Sequence, residues 1–164
     1  MVDNTLFWVI KLLAALTSLG MICSPALSIY WIHKKRDVGI ASVIPLASLL
    51  ANTHNWVLYG YMVENWFPIF WVFVFGDVAA LFYMTVYWWY TTERRYVLRV
   101  LAVVAAFLLV VTTYAIVGGL GYLGQTRGQV SSVLGIICDV VAVFVWSSNG
   151  EALPRAQVQV CRLH

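Results

Sequence analysis

From Val97 to Val117 the chain is almost entirely Val, Leu, Ala and Phe, with one charge, Arg99, near its start. A run of this length matches the roughly 20 apolar residues that a helix needs to cross a bilayer. No water reaches the hydrocarbon core to satisfy backbone N–H and C=O groups, so the run must close its own hydrogen bonds as a helix. Four more runs of similar character surround it: Leu6–Trp31, Ile40–Met62, Phe67–Tyr90 and Val130–Trp146. Composition agrees, at 62% hydrophobic and 10% charged with a mean hydropathy of +0.84, against about 25% charged residues in soluble domains. A soluble fold of 164 residues could not bury this much apolar surface. The expected fold is an all-α polytopic membrane protein with five spans. The first run is too long for a signal peptide, and Asp3 rather than a basic residue precedes it. The net charge of +3 forms no basic stripe beyond short loops, so a nucleic-acid partner is not expected.

Loop charges set the expected orientation. Lys34, Lys35, Arg36, Arg94, Arg95, Arg99, Arg155 and Arg162 fall on one side; Arg127, with Lys11 at the outer end of the first span, falls on the other. Basic loops face the cytoplasm. The N-terminus is then outside and the C-terminus cytoplasmic, which agrees with an odd number of spans. Lys11 lies one turn inside the first run, where its long stem can carry the ammonium to the interface. Aromatic residues at both ends of the third run (Trp66, Trp71; Trp88, Trp89, Tyr90) suit the interfacial belts. The segment after Trp146 is polar and holds no further span.

Polar residues inside spans are costly, and therefore informative. With Pro45 at zero and about 100° per residue, Ser48, Asn52, Trp56 and Tyr59 fall within about 60° of it on one face of the second span. Pro45 and Pro25 each interrupt an apolar segment, and in membrane helices such prolines mark bends. The stripe suits a ligand with hydroxyls and apolar C–H faces, such as a sugar; it equally suits interhelical packing through small polar groups. His54 falls about 180° away and reads as neutral and structural; Asn55, beside the stripe, carries no message. Asp77 and Asp139 lie near mid-membrane, where an unpaired carboxylate costs about 2.5–3.5 kcal/mol. Asp77 reads as a site for sugar hydroxyls or a proton, Asp139 as a protonated carboxyl bonded to a helix carbonyl. Cys23, Cys138 and Cys161 read as packing residues. No zinc spacing, phosphate loop or nucleophile elbow is present, so neither enzyme activity, metal nor cofactor is expected.

In sequence order, Ser24-Pro25, Tyr30, the basic hinge His33–Arg36, Gly39, Ser42, Pro45, Asn52, Trp56, Tyr59-Gly60, Gly76, Tyr83 and Tyr90 resemble the first half of the SWEET sugar-transporter family. The resemblance implies two three-helix bundles joined by one linker helix, and passive uniport of mono- or disaccharides by alternating access. It implies hinges at Pro25 and Pro45. It further implies a sugar site including Asn52, Trp56, Phe73 and Asp77. Phe73 occupies the position of the family's usual third-span asparagine, three residues before Gly76, and Asp77 would stand in for it. The expected division is 1–91, first three-helix repeat; 92–117, linker helix; 118–148, first and orphan helix of an incomplete second repeat; and 149–164, a polar cytoplasmic tail. Where Ser-Pro-Leu would open the second hinge the chain has Ser147-Ser148-Asn149, so a form truncated after the fifth span is expected. In such a form the second-span stripe and Asp77 would face lipid. Expected partners are the sugar, membrane lipid, and further copies or a full-length relative. The expected membrane is the plasma membrane, with the Golgi or endoplasmic reticulum as alternatives. The competing reading is a non-transporting partner that modulates a full-length transporter.

Overall fold

The computed structural model describes residues 4–39 and 41–160, with side chains described over 6–39 and 41–143. Asp3, Ile40, Cys161 and Arg162, all used in the sequence reading, lie outside the described residues. Arg155 is described by its backbone alone.

The first span is two helices, α1 (Asn4–Cys23) and α2 (Ala26–Lys35), separated at Ser24-Pro25. Pro25 has no N–H to continue the ladder of α1, while its carbonyl accepts from Ile29 N (3.0 Å) and so starts α2. Arg36 then ends α2 in the left-handed region, at φ 54°. The helix α3 (Ile44–Met62) begins later than the apolar run does. Pro45 is therefore in its first turn and not an interruption within it. At that place the missing N–H has no intrahelical partner to lose, and the fixed φ suits helix entry. A tight turn with Glu64 at φ 56° leads through a π-helical turn (Trp66–Phe70) into α4 (Trp71–Tyr90). Next come α5 (Arg94–Gly119) and α6 (Arg127–Val160).

The segment after Trp146 belongs to α6, whose 34 residues span about 51 Å, far more than the ~30 Å hydrocarbon core. Its distal part must therefore project beyond the bilayer.

The neighbours are not those of the chain order. The first span packs on α4, and α4 packs on α3, so the third span lies between the first and the second. On its other sides α3 meets α5 and α6. Among the described residues, three helical stretches are long and apolar enough to cross a membrane: Leu6–Lys35, Trp66–Tyr90 and Arg94–Gly119. The polar run Asn52–Asn55 keeps α3 out of that set, yet α3 is the most enclosed helix, with Leu46, Ala47, Leu49, Leu50, Ala51, Asn52, Thr53 and Asn55 all buried. Its neighbours supply the apolar outer surface that α3 lacks. Nor is α6 an unpartnered helix, since Val130, Leu134 and Cys138 are fully buried.

Gly76 allows α4 to approach both neighbours. A Cβ there would lie 2.7 Å from Ile22 Cδ1 and 2.9 Å from Thr53 Cγ2, and Ile22 is itself fully buried. Gly76→Ala is expected to cost about 1–3 kcal/mol by overpacking. This would appear as a lowered thermal midpoint in detergent; an unchanged midpoint would show that the contact relaxes freely.

Candidate functional site

The residues singled out on α3 and α4 fall into two groups on different sides of α3. In the first, the Trp56 ring stacks on Phe73, with centroids 5.5 Å apart and planes 15° from parallel, while Tyr59 meets Trp56 edge-on at 5.5 Å. Phe73 belongs to an apolar cluster with Ala15, Ile22 and Val72, so α1, α3 and α4 all hold the stack in place. Asn52 lies one turn before Trp56 and is 1% exposed, and its Oδ1 has no hydrogen-bond partner. Asn52 is thus enclosed within this chain and does not face lipid as expected, while Pro45, Ser48, Trp56 and Tyr59 are half-buried.

The second group surrounds Asp77, one turn beyond Phe73 on α4. Thr53 Oγ1 donates to Asp77 Oδ1 at 3.0 Å, and His54 Nδ1 lies 3.0 Å from Asp77 Oδ2. Facing a carboxylate oxygen, Nδ1 is the ring nitrogen that carries a proton; Nε2 is then free to accept from the Thr112 hydroxyl on α5, also at 3.0 Å. One carboxyl and one imidazole therefore tie together α3, α4 and α5. His54 does point away from the stripe. What the sequence reading lacked was its partner: the wheel of α3 shows a lone histidine, and only the antiparallel register of α3 against α4 brings Asp77 to it.

Asp139 departs from expectation. It is exposed on α6, and among the described residues its carboxyl bonds to no helix carbonyl or other group. Leu134 and Cys138 take the buried face of α6, which turns Asp139 outward. Pro25 lies at the α1–α2 break and Pro45 in the first turn of α3, so each marks an element boundary.

The two ends of the bundle differ in charge. At one end Arg127 donates to Glu64 across 2.8 Å, tying the α3–α4 turn to the start of α6. Near the same end Lys11 Nζ donates to the Phe67 carbonyl at 3.3 Å and lies over the Phe7 ring, 4.6 Å from its centroid. At the other end the Tyr90 hydroxyl lies 3.1 Å from His33 Nδ1, beside the basic residues of the hinge. Among the described residues, no three His, Cys, Asp or Glu side chains gather to hold a metal ion.

A family model described as "Sugar efflux transporter for intercellular exchange" matches residues 8–95, more than half of the chain. The match runs from Trp8 within α1 to beyond the end of α4, and includes Asn52, Trp56, Phe73 and Asp77. No curated protein matches the chain.

Proposed function

The chain belongs to the family of sugar efflux transporters for intercellular exchange, and on that premise we propose that it takes part in facilitative, alternating-access movement of a mono- or disaccharide. Sugar transport is the family's general activity, and the chain is a multi-pass helical membrane protein. The observation that carries the finer reading is the Trp56–Phe73 stack beside the buried amide of Asn52. An aromatic face packs the C–H side of a sugar ring, and a few placed polar groups set its orientation. Asn52, Trp56 and Phe73 are then the sugar-facing residues. Asp77 acts on that site through the helices it joins. Pro25 and Pro45 act as hinges at the ends of helices.

In this reading residues 1–91 form one three-helix repeat, 92–117 a linker helix, 118–148 the first helix of a second repeat, and 149–164 a cytoplasmic tail. Alternating access in this class is a rocking of two repeats about a site between them. In this reading a full-length relative completes the pathway, in the plasma membrane, and copies of this chain associate without forming one. The second reading, a partner that modulates such a relative without transporting, is favoured by one observation: Asn52 and Phe73 are already buried by the chain itself.

Two differently tagged copies should co-purify from mild detergent, and the chain expressed alone in a transport-deficient host should not take up glucose or sucrose. A monodisperse monomer that moves glucose in liposomes would refute this. The loop charges predict an N-terminal tag accessible from outside and a C-terminal tag accessible only after permeabilisation; both tags on one side would overturn the orientation.

A further inference from the structure

The contact between α3 and α6 contains a polar row with nothing to bond to. Asn55 is fully buried, and neither its Oδ1 nor its Nδ2 has a partner; Asn52 Oδ1, one turn away, is also unpaired. Buried amides are rarely left in this state, because each pays for desolvation without a compensating bond. The direction of the row is set by its neighbours. On the wheel of α3, Asn55 lies between Tyr59 and Met62. Met62 clusters with Val130 and Leu134 of α6, and the Tyr59 ring lies 3.4 Å from where a Cβ on Gly135 would be. With Glu64 paired to Arg127 at one end and Tyr59 over Gly135, the antiparallel register brings Asn55 level with Cys138, which is fully buried. The surface of α6 opposite Asn55 is thus apolar or thiol, and offers the amide no adequate partner.

From this geometry we propose that Asn55 joins Asn52 as a ligand of sugar hydroxyls when the gate formed by the α3–α6 contact opens. One primary amide offers an acceptor and a donor side by side, so it can bond two adjacent hydroxyls of a ring at once. In the closed state these atoms are unsatisfied, which raises the closed state relative to a sugar-filled open one. A population shift needs such a differential interaction. The inference rests on the sugar-transport reading and adds to it a ligand residue and the face that must part.

The test uses the whole chain purified in mild detergent, as wild type and as Asn55→Leu, with Cys23 and Cys161 replaced by serine so that Cys138 is the single thiol. Three quantities are measured: the thermal midpoint, binding of radiolabelled glucose and sucrose, and the rate at which a small polar methanethiosulfonate modifies Cys138. The expected result is a raised midpoint in Asn55→Leu, because an unpaired amide is replaced by methyl groups of similar volume, together with sugar binding at least tenfold weaker. Cys138 in the wild type should react, and bound sugar should slow that reaction at least threefold. A raised midpoint with undiminished sugar binding would overturn the role of Asn55 while leaving the family reading intact. A lowered midpoint would mean that a buried water already satisfies the amide, and would also overturn it. An inert Cys138 with and without sugar would overturn the gate. Wild-type protein that binds neither sugar would remove the sugar reading and this inference together.

Discussion

Asp77→Ala should lower the stability of the helical bundle by about 2–3 kcal/mol. The carboxyl accepts two side-chain bonds, from Thr53 and His54, and polar bonds between membrane helices average about 0.6 kcal/mol with a maximum near 1.7. Those two bonds alone therefore give roughly 1–3 kcal/mol. The rest comes from leaving the His54 ring with an unpaired nitrogen in a mostly apolar setting. Removing one partner of a fully buried ion pair costs about 3–5 kcal/mol, but His54 and Asp77 are 28% and 22% exposed, so the lower figure applies. Asp139→Ala removes a side chain without a hydrogen bond and should leave the thermal midpoint in place. The double variant His54→Leu/Asp77→Leu should recover most of the loss, since apolar replacement of such a pair is often neutral. Thermal unfolding in detergent, followed by tryptophan fluorescence, gives all of these values. A stable Asp77→Ala that has nonetheless lost sugar binding would return Asp77 to the sugar path as a direct ligand.

Trp56→Ala is expected to weaken sugar binding at least tenfold. Its ring is already held nearly parallel to Phe73 and edge-on to Tyr59, so a sugar meets a platform whose orientation costs nothing further on binding. Truncation also empties space within the α1–α3–α4 cluster, and a large aromatic lost from a core costs about 3–5 kcal/mol. A fall in binding from Trp56→Ala alone would therefore be ambiguous. Trp56→Phe separates the effects: it keeps the stack on Phe73 and most of the stability, and should weaken binding only about threefold by reducing the ring face. Trp56→Ala protein that stays folded and binds glucose as the wild type does would remove Trp56 from the sugar site.

Much of the architecture was legible in the residues alone. Hydropathy is a local property, so runs such as Val97–Val117 and Phe67–Tyr90 marked their helices to within a few residues. Pro25 marked the break in the first span because a missing N–H acts on its own turn. The motif order from Ser24 to Tyr90 pointed to the family that the matched segment 8–95 bears out. Other features depended on which helices meet. Pro45 has the same chemistry as Pro25, and where α3 begins decides whether it bends a helix or opens one. That the third span lies between the first and the second follows from close approach at Gly76, a contact between segments distant in sequence. His54 looked like an isolated histidine until antiparallel register brought Asp77 within 3.0 Å of it. Asn55 gave no signal on its helical wheel, because an amide becomes conspicuous only when the packing of α6 leaves both its polar atoms without a partner. Periodicity shows which face of a helix is polar; which side chain that face meets, and at what level, is set by side-chain volumes on helices far apart in the chain.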